Sequence, residues 1–489
     1  MLFLLSLAIL CTSVAACTNG GEESEVSTGD TSETVLFGNL PEEKYDGDEI
    51  VILVEGDYMS LYQSVEIMAH ETSPEIINTA VEDRNALVEE RFDVVIKEIR
   101  TSTGAEMADN IRNNHMGGTN LYHIVMPYIP QAASLSLEGY FYLLNDMEYI
   151  HMEEDYWDQG AVNGLSINHK NYFLTGDFSI LSLACTHALV FNKDMIEEND
   201  LEDPYALVES GEWTLDKLRE MARKVTADSD GQTGMTYTDT YGFLVNTNFA
   251  TSMFIASGEG LTQKDANDLP FITVNSTRGI DVFNKIYDLV SDKQAAGHIE
   301  SFQNDVASAG KTVWQAATEA VASKRALFRA MSIADIPELG EYECNFGILP
   351  IPKYDKSQPE YKSLVSTIYA TSAAIPTTNP DYEQASIILD AITQASTDTV
   401  KDSYYQVMLK KRKVQDDESE AMLDLIFGNR VYELGVVFGW GGANIYDTNS
   451  ISSFMNSIAF SDANTFVSRY ESIKDKIQSD LNDTISEFN

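Results

Sequence analysis

Residues 181–193 read Leu-Ser-Leu-Ala-Cys-Thr-His-Ala-Leu-Val-Phe-Asn-Lys and lie between two long segments of mixed helix and strand character. The stretch is apolar and β-capable. It ends in a polar Phe-Asn-Lys step before an acidic helical run, residues 194–198. Such a run between turn signals predicts a buried or half-buried strand. The segment before it, roughly 48–177, reads as one α/β unit, and the segment after it, to about residue 343, reads as a second. The stretch is therefore expected to cross between two lobes. Residues 345–350 (Asn-Phe-Gly-Ile-Leu-Pro) are expected to carry the chain back. Two lobes joined by crossing strands leave a cleft between them.

A chain of 489 residues is too long for one ordinary core and implies two or three domains. Its formal net charge of -45 argues against a nucleic-acid partner, because phosphate binding needs clustered Lys and Arg. It argues equally against adhesion to anionic lipid through a basic face, and fits a solvated exterior.

In the first lobe, residues 49–55 (Glu-Ile-Val-Ile-Leu-Val-Glu) predict a buried strand, followed by Gly56-Asp57-Tyr58. A helix is expected over 78–92, with Val81, Leu87, Val88 and Phe92 apolar. A strand is expected over 94–99, a helix over 105–112, and a third strand over 123–126 that ends in Pro127-Tyr128. This alternation predicts a mainly parallel sheet covered by helices. In such sheets ligands bind beyond the carboxyl ends of the strands. The loops 55–58 and 127–131 are thereby candidate cleft walls. Glu55, Asp57, Tyr58 and Tyr128 are the candidate ligand contacts there, with ordinary loop tyrosines as the alternative for the two rings. Gly176-Asp177 is expected to turn at the hinge, where Asp177 either accepts from ligand hydroxyls or closes an Asx-type turn.

In the second lobe a helix is expected from the N-cap Thr214 to about Thr226, and others over 279–292 and 311–329. Asp228-Ser229-Asp230-Gly231 opens like a calcium loop. Its sixth position is Thr233 rather than glycine and it lacks a convincing twelfth-position glutamate, so a polar turn is expected there. Gly310-Lys311-Thr312 mimics the end of a phosphate loop, but Asp305 stands where its glycine would be. A strand is expected over 363–375, and helices over 380–394 and 417–427. Trp440 sits in Phe-Gly-Trp-Gly-Gly and is expected to present a flat face on which the C–H face of a sugar can stack, with plain packing as the alternative. Phe466, Tyr470, Ile473, Ile477 and Leu481 keep the spacing of an amphipathic helix.

Cys185 and Cys344 lie beside the two proposed crossing strands. They are either bridged by a disulfide or two buried thiols. Their separation offers no zinc-type spacing. The seven histidines show no ligand spacing, and no metal or cofactor is expected.

The beginning of the chain is a short apolar stretch, residues 1–16, ending Val14-Ala15-Ala16-Cys17. Small residues before a cysteine resemble the lipobox of bacterial lipoproteins, in which the Cys17 thiol receives a diacylglyceryl group after cleavage. The departure from that pattern is the missing basic n-region, since no Lys or Arg precedes Cys17. Residues 18–48 are rich in Gly, Ser, Thr and Glu and read as a flexible tether.

Residues 189–195 (Leu-Val-Phe-Asn-Lys-Asp-Met), 203–205, 211–215 (Gly-Glu-Trp-Thr-Leu), 239–243 and 346–354 (Phe-Gly-Ile-Leu-Pro-Ile-Pro-Lys-Tyr) together resemble extracellular solute-binding proteins of family 1. These are receptors of carbohydrate-uptake ABC transporters, including maltodextrin binders. Residues 78–85 are similar to a variant seen in Gram-positive lineages. The order and spacing of these segments carry the likeness, which covers nearly the whole chain after Cys17.

The resemblance implies an α/β, two-lobed periplasmic-binding-protein-like fold with a hinge of crossing strands and a ligand cleft. The expected organisation is a leader and lipidated Cys17 (1–17), a linker (18–48), lobe 1 (49–184 with 345–395) and lobe 2 (185–344 with 396–489). The implied job is capture of a sugar or oligosaccharide by hinge closure and delivery to separate ABC permease subunits. The place implied is the outer face of a bacterial cell membrane, and the protein is expected to be a lipid-anchored monomer. The alternatives are a surface glycan-binding or sensory lipoprotein that feeds no transporter and, behind it, a glycan-acting enzyme, for which the abundant carboxylates would have to supply a pair. A catalytic role finds no support in Gly-x-Ser-x-Gly, His-Glu-x-x-His or dinucleotide fingerprints, all of which are missing from the sequence.

Overall fold

A computed structural model describes residues 36–56, 61–410 and 417–489. Cys17, Asp57 and Tyr58, with the leader and most of the tether, lie outside the described residues. Asn39–Asn489 form one unit, and within it two separate sheets each anchor a lobe.

The first lobe begins with β1 (Asp48–Glu55), α1 (Glu75–Phe92), β2 (Val94–Thr101), α2 (Gly104–Met116), β3 (Ile124–Met126) and α3 (Ile129–Leu137). The three strands are parallel in the order β2-β1-β3. The expected alternation is therefore present, with every strand's carboxyl end at one edge. In α1 the buried face carries Val81, Val88 and Phe92, as the spacing predicted, but Leu87 is exposed and Arg84 is buried in its place. The Arg84 guanidinium donates to Asn85 Oδ1 at 2.8 and 3.0 Å and to the Ile67 carbonyl. Those bonds are what a buried cation needs.

After α4 (Gln159–Leu165), the crossing stretch opens not as a strand but as a short helix, α5 (Ile180–Ala184). Ser179 caps it by accepting from the Ser182 N–H. Only then does β4 (His187–Asn192) begin, buried at all six positions.

The second lobe continues with α6 (Leu215–Val225), whose N-cap Thr214 accepts from the Lys217 N–H as expected. Then come β5 (Tyr241–Val245), α7 (Phe249–Ala256), β6 (Ala296–His298), α8 (Val313–Ala322), β7 (Ala326–Ser332) and β8 (Phe346–Leu349). The five strands run in the order β8-β4-β7-β5-β6. The helix expected over 311–329 is present as α8 but stops at Ala322, because the last four residues of that range begin β7, a central strand. β8, expected to return the chain to the first lobe, instead pairs antiparallel with β4 inside the second sheet, Phe346 opposite Asn192.

The return comes later. β9 (Ser363–Leu364) leads to Val365, which bridges Thr186. Thr371, Ala373 and Ala374 then bridge Tyr128, Leu174 and Val125 of the first lobe. A continuous strand over 363–375 is thus replaced by β9 and isolated bridges. α9 (Tyr382–Ser396) packs on α1, and α10 (Asp402–Lys410) comes after a π-helical turn. α11 (Asp417–Gly428) packs on β8, and β10 (Arg430–Val431) pairs with β9. α12 (Phe466–Glu487) closes the chain and buries Phe466, Tyr470, Ile473, Ile477 and Leu481, the five positions expected. Among the described residues no helix is long and apolar enough to cross a membrane.

Candidate functional site

The carboxyl ends of β1 and β3 meet the crossing segment at three tyrosines. Tyr128 directly follows β3 and Pro127, with φ −59° and ψ 145°, the extended backbone that precedes α3. Its hydroxyl donates to the Tyr62 carbonyl at 2.7 Å, and its ring meets Tyr369 edge-on at 5.6 Å. Tyr62 stacks on Tyr369 at 4.5 Å and 17°. Tyr369 is held by the crossing segment itself, because the Ile129 N–H donates to the Ala370 carbonyl at 2.9 Å and the Ser372 N–H to Pro127 at 3.0 Å.

The second lobe faces this group with the amino end of β4 and the carboxyl ends of β5 and β7. The Tyr62 hydroxyl interacts with the Ser332 side chain at the end of β7. Ser332 stands opposite His187 in the β4–β7 ladder. The buried His187 ring stacks on Phe249 at 4.3 Å and 23°, and its Nδ1 is 2.9 Å from Ser252 Oγ. Burial pushes the imidazole pKa down to about 4, so this ring is neutral near pH 7. Beyond β5, Thr247 Oγ1 is 3.0 Å from His298 Nε2 and its N–H donates to Glu300 Oε1. The seam thus offers aromatic rings from one side and short polar side chains from the other.

Four buried oxygens around these strand ends lack a hydrogen-bond partner among the described residues: Glu55 Oε1, Gln131 Oε1, Asn246 Oδ1 and Thr367 Oγ1. Buried polar atoms are normally paired. All four can accept, and the two amide oxygens can only accept, so what would satisfy them is a donor-rich molecule. Glu55 is fully buried, and burial pushes its carboxyl up to about 7 against the opposing pull of the Tyr128 N–H and the Thr101 hydroxyl. Gly56 comes next because a Cβ there would lie 2.3 Å from the Thr101 carbonyl.

The sequence-predicted residues separate. Glu55 and Tyr128 come together at the seam. Asp177 does not reach it: its carboxylate pairs with Lys401 Nζ at 2.9 Å and accepts from Thr397 Oγ1 at 2.9 Å, lining a different cavity. Trp440 is not an exposed platform. It is 3% exposed, its ring stacks at 2° on Phe438, and its N–H donates to Thr484 Oγ1 on α12 at 2.8 Å. The neighbouring glycine serves that packing, since Gly441 has φ +94° and its N–H donates to Asp480 Oδ2. Cys185 and Cys344 are buried and no disulfide joins them, and Cys344 Sγ is 3.8 Å from the Leu339 carbonyl.

Sequence reasoning missed Tyr62, Tyr369 and His187. The strand-end rule that found Tyr128 reaches Tyr62 only if the loop after β1 is extended. Nothing local marks Tyr369. The polar turn at 228–231 closes on Asp239, whose oxygens accept from the N–H groups of Ser229, Asp230 and Thr236.

Residues 86–405 match the family of bacterial extracellular solute-binding proteins. No curated protein matches the chain. Among solved structures, a cyclo/maltodextrin-binding protein complexed with maltotetraose is similar over 91% of this chain and 97% of its own, at 13% identity and TM-score 0.54. UgpB from Mycobacterium tuberculosis, in complex with glycerophosphocholine, is similar over 90% of this chain and 100% of its own, at 14% identity and TM-score 0.56. The apo form of RafE from Streptococcus pneumoniae is similar over 91% and 98%, at 13% identity and TM-score 0.53. At these identities the likeness is one of fold, and the fold is the two-lobed α/β arrangement of periplasmic sugar-binding proteins.

Proposed function

Because this chain belongs to the bacterial extracellular solute-binding protein family, we propose that it captures a carbohydrate between its lobes and delivers it to the permease of an ABC importer. The single observation that carries the reading is the seam itself. Tyr62 and Tyr369 stack at 4.5 Å where the first lobe meets Ser332 of the second. Sugar rings pair apolar C–H faces with hydroxyl donors, and this seam offers rings and acceptors that are unpaired among the described residues. Two solved relatives whose ligands are maltotetraose and glycerophosphocholine keep polyhydroxylated compounds within reach of this architecture.

The mechanism is hinge closure. The open and closed states differ by a few kcal/mol, and a ligand that touches both lobes favours the closed one. The hinge comprises the Thr186–Val365 crossing and the β9–β10 pair. We assign 345–362 to the second lobe with β8, and the segment through α10 to the first, with α1. Glu55 and Tyr128 contact the ligand from the first lobe, and Asp57 and Tyr58, which follow Glu55 in the sequence, are proposed as further contacts. The protein binds its ligand without altering it. Cys17 carries the lipid that holds a monomer to the outer face of the membrane, in a Gram-positive cell.

A thermal-shift screen of mono- and oligosaccharides tests this. A carbohydrate at a hundred times its dissociation constant should stabilise the protein by about 2.7 kcal/mol. If no carbohydrate raises the melting temperature, the binding reading fails. If one does, but deleting the gene leaves its uptake unchanged, the glycan-capturing alternative replaces the importer.

A further inference from the structure

A second cavity, of about 320 Å³, lies against the hinge between α4, α5, α10 and the end of α11. Arg430 of β10 lines it. That side chain is only 10% exposed, and its Nη2 pairs with Asp158 Oδ2 at 2.8 Å. Its Nε and Nη1 are buried and have no hydrogen-bond partner among the described residues. Unpaired guanidinium donors in a cavity are costly unless something accepts from them. Asp158 cannot, since Oδ1 already accepts from the Gly160 and Ala161 N–H groups and Oδ2 from the Tyr432 hydroxyl. Asp177 cannot either, being committed to Lys401 and Thr397.

We propose that this cavity is a second ligand site, which takes a small hydroxylated monocarboxylate of the sugar-acid class. The unmet need is for an acceptor, and a carboxylate is the strongest one for a guanidinium. Tyr405 and Phe427, with ring centroids 5.0 Å apart, supply apolar wall for a C–H face. Asp155 and Asp424, exposed at the rim, accept from hydroxyls. The same two carboxylates repel a dianion, which separates a sugar acid from a phosphate ester. The volume lies in the range of small-molecule sites and suits one ring rather than a chain.

Calorimetry on the full chain with D-glucuronate tests this, with D-glucose as the ligand lacking the carboxylate. Two variants address the cavity: Arg430→Met removes the donors, and Gly428→Phe fills the mouth, where a Cβ meets nothing within 4 Å. Wild type should bind glucuronate saturably, both variants should lose at least tenfold in affinity, and glucose should not compete. Tyr369→Ala, at the interlobe seam, should leave glucuronate binding unchanged. If Arg430→Met does not fold, Gly428→Phe with an unchanged melting temperature decides alone. The proposal is overturned by no saturable binding, by wild-type affinity in Gly428→Phe, by equal competition from glucose, or by loss of binding in Tyr369→Ala.

Discussion

Tyr62 and Tyr369 stack face to face at 4.5 Å, although one comes just after the first strand of the chain and the other lies on the segment that returns from the second lobe. The pair ties the hinge to the first lobe at the point where that lobe meets Ser332. Such a contact is worth about 0.5–1.5 kcal/mol beyond area burial. Tyr369→Ala should therefore weaken carbohydrate binding by roughly 2- to 13-fold in calorimetry, by loss of stacking surface. Unchanged affinity would remove these rings from the site.

Glu55 and His187 should give opposite pH dependences. The Glu55 pKa rises from 4.5 to about 7 on folding, so its contribution to stability is lost as pH rises through that window. The His187 pKa falls from 6.5 to about 4, so its contribution is lost as pH falls from 6.5 towards 4. Each is on the order of 3 kcal/mol at most. Denaturant midpoints of Glu55→Gln against pH should lose the decline from pH 4.5 to 7, and those of His187→Gln the rise from pH 4 to 6.5. Slopes identical to wild type would contradict both.

Trp440→Phe should cost stability and spare binding. The indole N–H bond to Thr484 is lost within a packed core, at about 1–2 kcal/mol. Chemical denaturation should show the loss while carbohydrate affinity holds. Weakened affinity at unchanged stability would return Trp440 to the site.

Cys185 and Cys344 should both alkylate after unfolding without reductant, and peptide mapping should find each as the modified thiol. A peptide pair joined through sulfur would contradict the structure.

Periodicity made part of the fold legible in the sequence. α12 was legible because five apolar residues repeat at helical spacing, and all five are buried. β1 was legible as an uninterrupted apolar run. The failures have physical causes. β7 carries Arg329 in a buried strand, beside the charges of Asp335 and Glu338 and a bond to Thr318, so its polar residue disguised a central strand as helix. Gly441 beside Trp440 implied a free ring, yet its left-handed conformation serves the turn that lays the indole on α12. The candidate site, itself a proposal, was half legible. Glu55 and Tyr128 lie at strand ends, which local sequence marks, whereas Tyr369 is brought in only by the return crossing and has no local signature.

The central claim is that one ligand touches both lobes, and a pair of dissociation constants tests it most directly. For the carbohydrate that binds tightest, Tyr62→Ala in the first lobe and Asn246→Ala in the second should each weaken binding by at least tenfold, about 1.4 kcal/mol. A loss confined to one lobe's variant, with the other at wild-type affinity, would contradict capture between the lobes.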